Sequence, residues 1–292
     1  MKYRDLYDIG KTRLANAGIE EAELDARLLL EAVCKTARHD LLVNGDREIK
    51  AELVESYLNH ITARENRIPL QHILGEQEFM GLKFTVTPDT LIPRQDTETL
   101  VEEILRHLHD GQAILDMCTG TGCILLSLLH YSNNCLGVGV DISPAALSVA
   151  SQNEARIRDL PRTGEPFKTV KWIKSDLFEN VTGRFDIIVA NPPYIPTNVI
   201  AALMPEVREF EPLLALDGKA DGLYYYRKIV DQAGQFIYPG GYLFLEIGHN
   251  QASEVTAIMN DAGFCDINVI KDLTGIDRVV YATAFPQRRK NV

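Results

Sequence analysis

The sequence predicts an α/β protein: a doubly wound, mostly parallel seven-stranded sheet, preceded by a small helical domain and a β-hairpin. Three observations carry this expectation. Strand-length apolar runs alternate with helical patterns beyond Asp96, apolar residues recur at helical spacing before about Asn66, and the period shifts to two between Pro69 and Pro93. The expected boundaries are 1–68 for the helical domain, 69–95 for the hairpin linker and 96–292 for the α/β domain.

In the first segment, Leu24, Leu28 and Leu29, then Leu53, Val54, Tyr57, Leu58 and Ile61, fall at helix spacing, with Gly18 and Gly45 as punctuation. In the second, Leu82, Phe84 and Val86 alternate after Met80-Gly81, which reads as a hairpin. The third offers strands at Ala113 to Met117, Cys135 to Val140, Val170 to Lys174, Phe185 to Ala190, Gly241 to Ile247, Ile267 to Ile270 and Arg278 to Ala284. Segments such as Pro144 to Arg158 and Leu223 to Phe236 are long enough for the crossover helices that parallel neighbours require.

A chain of 292 residues can bury roughly three quarters of its extended surface. Its formal charge of -11 opposes general nucleic-acid binding and favours a basic partner. No apolar run approaches the ~20 residues of a membrane span, and Met1-Lys2-Tyr3-Arg4-Asp5 leads into an amphipathic segment, not a secretory signal. Cys34, Cys118, Cys123, Cys135 and Cys265 are odd in number, and neither they nor the seven histidines show metal spacing. The expectation is a cytoplasmic protein with reduced thiols, without metal or membrane contact. Arg288-Arg289-Lys290 reads as a solvated end.

Asn191-Pro192-Pro193-Tyr194 follows the apolar run Phe185 to Ala190 directly. Two prolines have fixed φ and no N–H, so the strand must stop there. The Asn191 side-chain oxygen and the Pro192 carbonyl become acceptors on a stiff frame, with the Tyr194 ring as a flat face beside them. Such a frame suits a planar amide or exocyclic amine, whose two hydrogens it can grip. A plain strand-ending turn is the alternative.

In Asp116-Met117-Cys118-Thr119-Gly120-Thr121-Gly122 a strand runs into a glycine-bearing turn that opens a helix. Leu125 stands where a dinucleotide motif wants a third glycine, and no Gly-Lys-Ser/Thr follows, so phosphate binding is disfavoured. Asp141 ends the next strand, 19 positions after Gly122, near the ~20-residue offset of a ribose-binding acid; it could instead cap the helix near Pro144. Asp176, in Ser175-Asp176-Leu177-Phe178, could accept from an adenine amine or cap locally. Arg94 could pair with Asp96 or Glu98, Glu246 is equally a ligand contact or a hydrogen-bonded structural group, and Tyr224-Tyr225-Tyr226 reads as packing.

The region from about Pro69 to Ala284 resembles the class I S-adenosylmethionine-dependent methyltransferases, and within them the PrmC/HemK protein-glutamine N5-methyltransferases. Besides the two motifs above, the resemblance rests on Leu91 to Glu98, Glu211-Pro212 with Asp221-Gly222, Leu245-Glu246-Ile247-Gly248 with Gln251, and Asp272 to Gly275 with Asp277-Arg278. It implies a Rossmann-like fold and S-adenosylmethionine as cofactor, leaving as S-adenosylhomocysteine. It further implies Cys118, Thr119, Gly120, Thr121 and Gly122 at the methionine part, Asp141 at the ribose, and Asp176 and Leu177 near adenine. Asn191 would contact cofactor and substrate, with Pro192, Pro193, Tyr194 and Arg94 at the substrate glutamine. Asn191, Pro192 and Tyr194 would be the catalytic set. The partner implied is a class 1 peptide chain release factor, methylated at its Gly-Gly-Gln motif and docked by the helical domain. Gln95 departs from the pattern, which usually has proline there and so a stiffer Arg94 loop.

Three rival readings are methylation of an exocyclic amine in nucleic acid, methylation of a ribosomal-protein glutamine, and a non-catalytic cofactor-binding module. The first predicts a basic groove, against which the acidic balance counts.

Overall fold

The computed structural model describes residues 1–161, 167–168 and 170–284; Arg288-Arg289-Lys290 lie outside them. Two compact units divide the chain, one of Met1–Glu76 with Met204–Phe210 and one of Gln77–Leu203 with the residues from Glu211 onward.

The first unit holds α1 (Tyr3–Asn16), α2 (Ala22–Cys34), α3 (Arg38–Val43), α4 (Ala51–Glu65) and α5 (Leu70–Leu74). Leu6 and Leu14 of α1, Leu29 and Leu30 of α2, and Tyr57 and Ile61 of α4 form its core. The fit between α1 and α4 admits only glycine at one point, since a Cβ on Gly10 would fall 1.9 Å from the Tyr57 hydroxyl oxygen. That hydroxyl donates to the Ala26 carbonyl at 3.2 Å and ties in α2. Arg64, near the end of α4, is buried between two carboxylates: its Nε donates to Asp25 at 2.7 Å and its Nη1 to Glu206 at 3.1 Å. Arg67 also reaches Glu206, at 3.2 Å. Pro205–Phe210, an excursion from the other unit's chain, is thereby held among the N-terminal helices. No local pattern in the sequence announces this, because the attraction is between charges some 140 residues apart.

The second unit opens with the hairpin β1 (Glu76–Phe79) and β2 (Leu82–Thr85), turning through Met80 and Gly81 at positive φ. Then follow α6 (Glu98–His107), β3 (Ala113–Met117), α7 (Cys123–His130), β4 (Leu136–Asp141), α8 (Pro144–Arg158), β5 (Lys171–Lys174) and β6 (Phe185–Ala190). After the stretch containing α9 (Pro205–Phe210) come α10 (Leu213–Leu216), α11 (Tyr224–Phe236), β7 (Ile237–Glu246), α12 (Ala252–Asp261), β8 (Cys265–Lys271) and β9 (Asp277–Thr283). The sheet order is β5-β4-β3-β6-β7-β9-β8, parallel from β5 to β7 and antiparallel at the last two strands, the α/β architecture expected. Strand β7 begins earlier than its apolar pattern suggests, because Pro239-Gly240 interrupts the alternation and the pairing slips between Phe185 and Ile187.

Strand β6 is buried on both faces, as a central parallel strand must be. Ile188 and Ala190 join Tyr226, Ile229, Val255 and Met259 of α11 and α12; Ile187 and Val189 join Leu100, Ile104, Leu125 and Leu129 of α6 and α7. The hairpin adds Phe79 and Phe84 to the second of these cores. Asn153 of α8 fixes its far end, accepting from the Thr85 N–H at 2.7 Å and donating to the Thr85 and Thr121 carbonyls.

Replacing Arg64 with Ala leaves Asp25 and Glu206 buried without their shared cation. Urea unfolding should show Arg64→Ala destabilised by about 3 to 5 kcal/mol. A loss under 1 kcal/mol would mean that the helical unit does not depend on this ion cluster.

Candidate active site

Parallel pairing places five polar residues along one carboxyl edge of the sheet. Met117 lies opposite Val140 and Ala190, Asp141 opposite Lys174, and Ala190 opposite Leu245. Cys118 and Asn191 are the next residues out, Asp141 and Glu246 the last residues in, and Asp176 lies two residues beyond β5, where open α/β sheets hold ligands. A cavity of about 230 Å³ opens there, lined by Arg94, Cys118, Thr119, Gly120, Thr121, Asp141, Asp176, Leu177, Asn191 and Pro193 among others. Gly122, Pro192 and Tyr194 are not in its lining.

The loop after β3 turns through positive φ at Cys118, Gly120 and Gly122. The two glycines do different things, although close approach to a ligand was the reason expected for both. A Cβ on Gly120 would meet nothing within 4 Å, so the backbone there faces open space. One on Gly122 would come within 3.0 Å of the Trp172 ring and 3.3 Å of Ala150, so its bareness serves packing. Asp141 braces this loop. Its Oδ2 accepts from the Gly120 N–H at 3.0 Å and its Oδ1 from the Ser143 N–H at 2.9 Å. The α8 cap is Ser143, whose Oγ accepts from the Ala146 N–H at 3.2 Å, and not Asp141. Burial pushes the Asp141 carboxyl up, against the pull of these N–H groups.

Asn191 leaves β6 with Nδ2 3.5 Å from the Thr97 hydroxyl oxygen. Behind it Glu246 is 2 % exposed, and burial raises its carboxyl to about 7 against hydrogen bonds with Thr97 and Asn191. Tyr194 packs against the core beside these groups, its hydroxyl pushed up to about 12 by burial. Arg94 pairs with neither Asp96 nor Glu98. It forms an ion pair with Glu211, while Asp96 meets Arg278 at 3.1 Å and Glu98 accepts from the Met80 N–H at 2.6 Å. Tyr224 and Tyr225, read in the sequence as packing, line the cavity, and Tyr226 is buried with its hydroxyl donating to the Glu246 carbonyl at 2.9 Å. Thr97, Lys219 and Ala215 also line the cavity and carried no signal by residue type alone. Among the described residues no cluster of His, Cys, Asp or Glu could hold a metal ion, and no helix is long and apolar enough to cross a membrane.

The chain is similar to known proteins. The family model of the PrmC N-terminal domain matches residues 5–75, and that of the methyltransferase small domain matches residues 95–204. A release factor glutamine methyltransferase of Geobacter sulfurreducens is 43% identical over 278 residues, covering 95% of both chains. One from Clostridium botulinum is 39% identical over 290 residues, covering 98% of this chain and all of the other. Among solved structures, a methyltransferase from Pyrococcus furiosus matches with a TM-score of 0.51 at 16% identity, over 77% of this chain and 99% of that one, a likeness of fold.

Asp116, fully buried under the loop, has its carboxyl raised to about 7 by burial, against the Thr119 hydroxyl that donates to it. The folded chain therefore holds a proton that the unfolded chain releases near pH 4, so stability falls as pH rises from about 4 to about 7. Asp116→Asn removes this cost. Its gain over wild type in urea unfolding should be larger at pH 8 than at pH 5, by on the order of 2 kcal/mol. An equal difference at both pH values would contradict the assignment.

Proposed function

The chain belongs to the release factor glutamine methyltransferases, and from that premise we propose that it methylates the side-chain amide nitrogen (N5) of the Gly-Gly-Gln glutamine in class 1 peptide chain release factors, using S-adenosylmethionine. The observation that carries this reading is the Asn191 frame at the end of β6, opening on a cavity that Asp141 and Asp176 also line.

The residues present suit that cofactor. Gly120 leaves its backbone open to the cavity, and Asp141 and Asp176 in its lining offer acceptors for hydroxyl and amine hydrogens. Cys118, Thr119, Gly120 and Thr121 would hold the methionine end, with Gly122 keeping the loop in shape by its packing. Asp141 would hold the ribose, and Asp176 and Leu177 the adenine. When bound, S-adenosylmethionine supplies a methyl already activated on a sulfonium.

The chain's own task is alignment, worth up to ~7 to 11 kcal/mol in well-oriented systems. Asn191 Oδ1 and the Pro192 carbonyl accept the two glutamine amide hydrogens, which fixes the direction of the nitrogen. Pro193 keeps the frame rigid, the Tyr194 ring backs the amide plane, and Arg94, anchored by Glu211, borders the entry. As the N–C bond forms, the nitrogen sheds one proton, which Asn191 or water passes on; no strong base is needed. A cytoplasmic setting fits the five cysteines, all free thiols.

The helical unit is the surface proposed to read the partner, since a free glutamine offers the same amide and the frame alone cannot choose a protein. Hydrogen exchange tests this. Amides within residues 1–76 should gain protection on binding the intact release factor and none on binding a short Gly-Gly-Gln peptide; equal protection by both would remove the docking role.

Asn191→Ala should cut methyl transfer at saturating cofactor by on the order of a hundredfold or more while cofactor affinity stays near wild type. Asp141→Ala should do the reverse, weakening cofactor binding and slowing the saturated reaction little. Calorimetry and single-turnover rates separate the two effects. Wild-type turnover on Asn191→Ala would refute the frame. With labelled cofactor, purified release factor should take the label, whereas label on DNA alone would overturn the function.

A further inference from the structure

The carboxylate behind Asn191 has no structural return for what it costs. Glu246 is 2 % exposed, Oε2 finds no hydrogen-bond partner, and its raised affinity for a proton means that the charged form is disfavoured where it lies. Its neighbours give it another use. Thr97 and Asn191 each favour its charged form, the β6–β7 register sets Asn191 beside Glu246, and Asn191 Nδ2 lies 3.5 Å from the Thr97 hydroxyl oxygen. A carboxylate has no hydrogen to give, so both neighbours must donate. Thr97 spends its one hydrogen on Glu246 and can only accept from Asn191. Both inward contacts of Asn191 then come from its nitrogen, and its oxygen is left for the cavity.

We propose that Glu246 is a positioning residue for methyl transfer, holding the Asn191 side-chain nitrogen inward so that the Asn191 oxygen faces the substrate amide. The inference rests on the methyl-transfer reading above. A protonated Glu246 would become a donor itself and reward the opposite flip, presenting N–H groups to a substrate that also offers N–H groups. Activity should therefore fall as pH drops through the titration of Glu246.

Other charged and titratable groups face Glu246: Arg278 of β9 with its partner Asp272, Asp96 before α6, Tyr194 after β6, Tyr226 of α11 and Cys123 of α7. Burial pushes Tyr194 and Cys123 to about 12 and Tyr226 well above its ordinary value. Asp272 is held far below the usual range by Thr274 and Arg278. None of these four changes charge between pH 5 and 8.

The test is Glu246→Gln, whose amide can donate to the Asn191 oxygen and stabilise the wrong orientation. Single-turnover methylation of release factor by wild type should rise with pH with a midpoint near 7, and Glu246→Gln should lose on the order of tenfold or more at pH 8 and lose that pH limb, with cofactor Kd unchanged. A second variant distinguishes positioning from mere folding. Asn191→Asp, alone, sets two carboxylates against each other, whereas paired with Glu246→Gln it regains an acceptor facing the cavity, so the double variant should exceed Asn191→Asp by tenfold or more. In protein labelled with ¹⁵N at asparagine, the Asn191 side-chain resonance should titrate in wild type and not in Glu246→Gln, a readout independent of turnover. A retained pH limb, additive losses, or an Asn191 resonance blind to pH would overturn the proposal. Wild type that titrates at Asn191 but leaves release factor unmethylated would sink the functional reading, and with it the catalytic role of Glu246.

Discussion

Pro192 and Pro193 cannot donate to a strand ladder, and they follow a strand that is buried on both faces. This one constraint sets the site. β6 must end at Ala190, beside the ends of β3 and β7, so Asn191 emerges at the centre of the carboxyl edge with its backbone direction fixed. The helices on both faces hold β6 in register through Ile187, Ile188, Val189 and Ala190, and a frame built on that strand inherits the stiffness of both cores. The glycine loop is placed by the same sheet, one strand over. Asp141 braces that loop from the end of β4 by accepting from the Gly120 N–H.

The site is expensive to keep. Asp116, Asp141, Glu211 and Glu246 are all carboxyls whose burial raises their affinity for protons, which is to say that the fold would be more stable with those charges removed. Each touches a part of the proposed machinery: the glycine loop above Asp116, Gly120 at Asp141, Arg94 at Glu211, and Asn191 at Glu246. The helical unit keeps a comparable cluster, Asp25, Arg64, Arg67 and Glu206, in which burial raises Asp25 as well while Glu206 is held below its ordinary range, and it ties a distant segment of chain to the N-terminal helices.

Much of this was legible in the sequence because it depends on short-range pattern. The apolar runs Ala113 to Met117 and Phe185 to Ala190 are strands with the same ends in the structure, and Pro144 to Arg158 is a helix from end to end. Such segments are set by residues within a turn or two of each other. What stayed hidden depends on residues far apart. Arg94 had two acids within four positions and took a third, Glu211, 117 positions on, because both near ones are occupied. Tyr224 and Tyr225 read as packing because three tyrosines in a row have no helical face, yet the start of α11 turns two of them to the cavity. Glu246 could be placed at a strand end but not beside Thr97, and the hydrogen-bond direction that gives it a role needs both neighbours.

Methyl transfer turns on which atom of Asn191 faces the substrate. A high-resolution structure of the chain with S-adenosylhomocysteine and a Gly-Gly-Gln peptide would show it. The expected result is the glutamine amide nitrogen within hydrogen-bond distance of Asn191 Oδ1 and the Pro192 carbonyl oxygen, with Asn191 Nδ2 turned toward Glu246. A glutamine bound away from that frame, or an Asn191 nitrogen facing the peptide, would contradict it.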